Sequence, residues 1–118
     1  MAPRHGNLFD ALPPALAEEA FDELVATPGL RIERIVSTGQ ATPAGEWLEQ
    51  DRAEWAMVLE GAAALSFEGD PAVRRLGRGD WVEIPARLRH RVEWTDPGRP
   101  TVWLAVHYSR GGSGTTTG

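Results

Sequence analysis

Along the chain the spacing of apolar residues changes once, near Gly29. Upstream, Leu16, Ala20, Phe21, Leu24 and Val25 recur at helical intervals and predict an amphipathic helix over residues 15–26. Pro13 and Pro14 suit a helix start, Glu18 and Glu19 complement the positive end of a helix dipole, and Thr27-Pro28-Gly29 would stop the helix. Downstream the period becomes two. Leu65 and Phe67 alternate with Ser66 and Glu68, as in a strand with one buried face. Short runs of this kind predict strands over 30–37, 45–50, 54–60, 62–68, 72–76, 80–84, 90–94 and 101–108, each bounded by Gly, Pro or Asp. Gly69-Asp70-Pro71 and Gly77-Arg78-Gly79-Asp80 read as turns, and Pro85 ends its strand because it cannot donate to a ladder. Many short strands at even spacing imply an all-β sandwich or barrel. The expected organisation is a flexible tail over 1–7, a helical segment over 8–29 packing outside the barrel, a β-barrel over 30–108 and a disordered tail over 109–118.

A length of 118 residues suits one domain with one modest core. Apolar residues at 42% and charged residues at 25% are ordinary for a globular chain, which excludes disorder as the main state. The absence of cysteine excludes disulfides, thiolate catalysis and zinc–thiolate sites. The net charge of −5 argues against a nucleic-acid partner, which needs a basic face. All 12 basic residues are arginine, so lysine Schiff-base and P-loop chemistry are excluded. No apolar run approaches the roughly 20 residues of a membrane span, and no hydrophobic stretch follows Arg4, so neither a membrane partner nor a secretory signal is expected and the expected location is cytoplasmic. Neither a Gly-x-Ser-x-Gly elbow nor a His-Glu-x-x-His helix motif occurs.

Two segments carry the functional signal. Glu54-Trp55-Ala56-Met57-Val58-Leu59-Glu60-Gly61 and Gly79-Asp80-Trp81-Val82-Glu83-Ile84-Pro85-Ala86-Arg87-Leu88-Arg89-His90 together resemble the two motifs of the cupin family, in the form of a small single-domain bacterial member with a degenerate first motif. The resemblance implies a double-sheet β-barrel, a jelly roll, with one N-terminal helix added here. It also implies a divalent metal held by two histidines of a His-x-His pair, a glutamate and a further histidine. Glu54 and His90 match the last two by residue type. The His-x-His is absent: its places fall on Leu48 and Gln50, or with a one-residue longer gap on Trp47 and Glu49. Arg87 stands where the family carries glycine. Gln50, Glu54 and His90 are therefore the expected metal ligands, with Glu49 replacing Gln50 under the longer gap. The ion would be Mn, Zn or Fe.

Glu54 and His90 are also the candidate catalytic pair, as carboxylate base and imidazole acid. The plain alternatives are an arginine-paired carboxylate and a hydrogen-bonded strand histidine. Trp47, at a family ligand position, is the candidate for cofactor or ligand contact. On 101–108, Trp103, Ala105 and His107 share one face, and Val102, Leu104 and Val106 share the other. The valine–leucine face has the character of core packing, which points His107 outward as a structural histidine; if the other face is the inner one, His107 lines the barrel mouth. Three functions are carried forward: a cupin binding a small organic ligand in its barrel, a metal-dependent isomerase, cyclase or oxygenase, and a metal-free acid–base enzyme. A homodimer is expected, because open sheet edges need covering.

Overall fold

The structure, a computed structural model, describes residues 2–109. The C-terminal tail expected over 109–118 lies, apart from Ser109, outside the described residues. Eight strands are present: β1 (Ala20–Thr27), β2 (Leu30–Ser37), β3 (Ala53–Glu60), β4 (Ala62–Phe67), β5 (Arg74–Gly77), β6 (Trp81–Ile84), β7 (His90–Thr95) and β8 (Thr101–Tyr108). They form a five-stranded sheet in the order β1-β2-β8-β3-β6 facing a three-stranded sheet in the order β5-β4-β7. All pairings are antiparallel. The all-β jelly roll implied by the two motifs is the observed architecture.

The expected N-terminal helix is not present. Residues 20–27 form β1, which turns at Pro28-Gly29 and pairs with β2 from Thr27↔Leu30 to Ala20↔Val36. The misleading feature is a β-bulge. The register slips between Glu23 and Val25, so Leu24 is an extra residue without a partner in the ladder. A bulge breaks the period of two and sets Leu24 beside Val25, which imitates the i, i+3, i+4 spacing of a helix. Cross-strand pairing with β2 then overrides local helix propensity. Residues 8–19 are irregular apart from a turn at Leu8–Ala11. Arg34 Nη1 ties that turn to the outer face of the sheet by donating to the carbonyls of Leu8 and Asp10 at 3.1 and 2.7 Å. The barrel therefore begins at Ala20 rather than at residue 30.

The strand expected over 45–50 is also absent; only Leu48 makes an isolated bridge, to His90. Pro43 and Gly45, the latter at φ +80°, interrupt regular pairing. Instead the segment runs alongside β7. Thr42 N–H donates to the Val92 carbonyl at 2.9 Å and Arg87 N–H to the Gln50 carbonyl at 2.7 Å. Arg91 donates to the carbonyls of Thr42, Pro43 and Glu46 at 2.8–3.1 Å.

Arg87 adopts φ +69°, the left-handed conformation that glycine takes without steric cost. Its exposed ion pair with Asp51, at 3.7 Å, offsets little of that strain. Arg87→Gly is expected to stabilise the fold by about 0.5–1 kcal/mol, the strain relieved less the added chain entropy, read as a higher urea midpoint with an unchanged m-value. A lowered midpoint would show that the guanidinium contributes more than its backbone costs.

The core is Ala56, Val58, Ala63, Leu65, Leu76 and Trp103, with Ile35, Phe67, Val82 and Val92 packed against it. It fills one end of the space between the sheets and leaves the other end open.

Candidate functional site

The inward face of the large sheet reads as three rows across neighbouring strands. Ile35, Trp103 and Val58 form the first; Glu33, Ala105, Ala56 and Val82 the second; Arg31, His107, Glu54 and Ile84 the third. The first row is apolar and closes the floor. The second holds two alanines side by side, and their missing side chains leave room. The third carries three charged or titratable groups to the mouth. The result is a cavity of about 290 Å³, near the lower end of the range of ligand pockets. Leu65, His90 and Val92 line it from the small sheet, and Glu19, Phe21, Leu48, Glu49 and Gln50 from the first strand and the 42–50 segment.

Glu54 and His90 thus line one cavity from opposite walls. Gln50 Nε2 donates to Glu54 Oε1 at 2.7 Å, so Gln50 turns inward toward the carboxylate. Glu49 sits on the rim, 4.0 Å from Arg89, with about half of its side chain exposed. His90 is buried, and its Nδ1 lies 2.9 Å from the Leu88 carbonyl. A carbonyl only accepts, so Nδ1 carries a hydrogen and donates it there. Trp47 is not among the cavity's lining residues. Its ring lies 6.0 Å from the Arg89 guanidinium, and the aromatic wall is Trp103 instead.

His107 takes the second of its two expected placements. The face it shares with Trp103 and Ala105 is the inner one, and His107 lines the cavity. Its Nε2 is 2.8 Å from Glu33 Oε1, and Arg31 Nη2 reaches the same oxygen at 3.7 Å. Glu19, Arg31, Glu33 and Trp103 are cavity residues that sequence reasoning missed. The polar end of β2, with Arg31 and Glu33 at period two from Ile35, was the available signal. It was ambiguous because Leu30, Ile32 and Val36 on the opposite face of β2, and Val102, Leu104 and Val106 on that of β8, are apolar as well.

At the floor, Trp103 Nε1 donates to Ser37 Oγ at 3.1 Å, and Ser37 Oγ donates to Glu19 Oε2. Burial pushes the Glu19 carboxyl above the usual glutamate range, against the lowering effect of the Ser37 hydroxyl. The folded state then binds the Glu19 proton more readily than the unfolded chain does. The contribution of Glu19 to stability is greatest below its unfolded-state pKa and declines as pH rises through the raised folded value. Glu19→Gln removes that decline. Relative to the parent, the variant is expected to gain stability between pH 4 and pH 7 in urea titrations, and a constant difference would refute the assignment.

A metal ion fits this wall poorly. Among the described residues no group of three or more His, Asp or Glu is placed to hold one. The Gln50–Glu54–His90 set offers one imidazole and one carboxylate, and the amide N–H already occupies an oxygen of that carboxylate. This is fewer nitrogen and carboxylate donors than a borderline transition metal takes.

Comparison with known proteins agrees with the fold. The Cupin domain family model matches residues 35–107. A structure from Ralstonia eutropha, named a candidate mannose-6-phosphate isomerase, aligns with 51% identity over 92% of this chain and 100% of that one, at a TM-score of 0.89. A cupin superfamily protein from Desulfitobacterium hafniense aligns with 13% identity over 93% and 95% of the two chains, at 0.72. A cupin family protein with a double-stranded β-helix fold from Methanocaldococcus jannaschii aligns with 16% identity over 83% and 86%, at 0.64. The latter two speak to fold alone. No curated protein matches the chain. Among the described residues no helix is long and apolar enough to cross a membrane.

Proposed function

The chain belongs to the cupin family, and on that footing we propose that it binds a small organic ligand in the hollow between its two sheets. The observation that carries this is the convergence of Gln50–Glu54 from one wall and His90 from the other on a cavity with an apolar floor. Such a space orients a ligand: Trp103, Ile35 and Leu65 take its apolar side, and a few polar groups take its oxygens. The experiment pairs the native protein with Ala56→Leu, which fills the row that opens the cavity. Monosaccharides, short hydroxy acids and their phosphate esters are titrated while tryptophan emission is followed. Native protein is expected to respond, and the variant to stay folded and lose the response. An equal response from both would place binding elsewhere.

The alternative is an enzyme of isomerase, cyclase or oxygenase type using Glu54 and His90 with Gln50 or Glu49. Placement of a carboxylate and an imidazole on opposite walls favours it, because a ligand between them could lose a proton to one and gain a proton from the other. Stoichiometric Mn, Zn or Fe in protein purified without chelator, lost in Glu54→Gln and His90→Ala, would support its metal-dependent form. A homodimer is part of the same proposal. The outward positions Trp55, Met57, Trp81, Leu104 and Val106 form a contiguous apolar face, with Trp81 59% exposed, and another copy related by a two-fold axis would cover it. Sedimentation equilibrium at micromolar concentration should read twice the monomer mass.

A further inference from the structure

We infer that the cavity's ligand is a neutral, hydroxyl-rich molecule of monosaccharide size or smaller, anchored through one hydroxyl by His107 and Arg31, and that phosphorylated and carboxylated compounds are rejected. This rests on the reading of the cavity as a ligand site and adds the ligand's chemical class.

The first argument is charge. Four carboxylates line the cavity, Glu19, Glu33, Glu49 and Glu54, against the single cation Arg31. Arg31 and His107 face Glu33, and Arg89 outside the cavity faces Glu49. Glu19 and Glu54 have no ion pair among the described residues; Ser37 and Gln50 are their hydrogen-bond partners. Phosphate sites are built from clustered arginines, lysines or helix N-termini. The chain has no lysine, and the described residues contain no helix. A phosphate placed here would meet like charges at short range in a partly dry space.

The other argument is two orphaned atoms. Arg31 Nε and His107 Nδ1 are buried with no hydrogen-bond partner. Both side chains line the cavity, and they stand directly opposite each other in the β2–β8 register. The His107 side chain is only 6% exposed. Leaving such atoms unpaired is unfavourable, so a ligand that pairs them gains correspondingly. Their chemistry specifies the ligand. Arg31 Nε–H is always a donor. In the neutral imidazole with its hydrogen on Nε2, against Glu33, Nδ1 is an acceptor, and this is the form the inference takes. One alcohol group meets both demands: its O–H donates to His107 Nδ1, and its oxygen accepts from Arg31 Nε–H. A carboxylate or phosphate oxygen has no hydrogen to give and sets a lone pair against a lone pair. Both atoms are covered in this structure, so the ligand's hydroxyl reaches them only once the two side chains turn toward the space they line.

The test uses matched sets: neutral sugars and polyols of four to six carbons, D-mannose and D-mannitol among them, with their phosphate esters and aldonates. Binding to the full chain is followed at pH 7.5 by tryptophan emission and thermal shift. Neutral members are expected to bind, and each phosphate ester and aldonate to bind at least about tenfold more weakly. His107→Gln keeps a donor toward Glu33 in the place of Nε2 and deletes Nδ1. It should retain the native melting temperature and weaken neutral-ligand binding about tenfold, the effect of one lost hydrogen bond. Arg31→Gln, at a rim position that is easier to tolerate, should weaken it similarly. A purely structural His107 would instead lower the melting temperature and leave the affinity of the folded fraction unchanged, which overturns the anchor. Phosphate esters binding as tightly as the neutral compounds overturn the inference but leave the cavity as a ligand site. Silence from every probe overturns both.

Discussion

Gly61→Ala is expected to lower stability by roughly 2–5 kcal/mol, the largest effect of an added methyl group at any of the described glycines. Gly61 ends the first motif and makes the turn from β3 into β4, where the chain leaves one sheet for the other. Its φ is +96°, which by itself costs an L-residue about 1–2 kcal/mol. A Cβ there would also lie 2.5 Å from Thr101 Oγ1, 2.6 Å from Thr101 Cα and 2.8 Å from the Pro100 carbonyl oxygen. Two of these atoms are backbone and cannot rotate away. Thr101 is fully buried, and its hydroxyl bonds with the N–H and C=O of Ala62 at 3.2 and 3.1 Å. Moving it would therefore loosen the junction between the sheets. Gly69→Ala is the control: φ is +87° there, but nothing lies within 4 Å of the new methyl. Urea titration of both variants separates backbone strain from collision, and equal losses would sink the collision account.

Trp103→Ala is expected to cost about 3–5 kcal/mol and to abolish binding in the cavity. The indole is 5% exposed and opposes Ile35 and Val58 in the ladder. Removing it opens a void between core and cavity that the surrounding β-barrel cannot collapse to fill. Trp103→Phe keeps most of the packing but deletes the donor to Ser37, which in turn donates to Glu19. That variant should lose about 1–3 kcal/mol. Should Trp103→Phe match the native stability, the Trp103–Ser37–Glu19 chain contributes nothing to the fold. Neither variant should change the pairing of the outer face, because Trp103 points inward.

The strands from β2 onward were legible because most are short, regular and closed by turn residues. Leu30–Ser37 and Thr101–Tyr108 fall where the period of two places them. Two segments were not. In β1 the bulge at Leu24 erased the alternation that marks a strand. Across 45–50, the run of Trp47, Leu48 and neighbours resembles a strand, yet it is held by Arg91 and by β7 rather than by a ladder of its own. The site divided along the same line. Glu54 and His90 were placed on the cavity by motif spacing, which left Gln50 and Glu49 as alternatives; the hydrogen bond to Glu54 turns Gln50 inward. Arg31, Glu33 and His107 were not, because Val102, Leu104 and Val106 are as apolar as a core face and hydropathy alone does not tell which side of a two-sidedly apolar strand turns inward.

By itself the sequence determined an all-β double sheet, its turns, the two glycine-bearing motif ends and the absence of cysteine and lysine chemistry, since these follow from residue type and local spacing. Only the tertiary structure decided which face of each strand turns inward, that two alanines meet to open a hollow, and that Arg31, His107 and Glu54 stand in one row at its mouth. The physical reason is register. A strand's alternation is local, but what it faces is set by partners tens of residues away, and a single bulge or an apolar outer face is enough to hide that choice from the linear pattern.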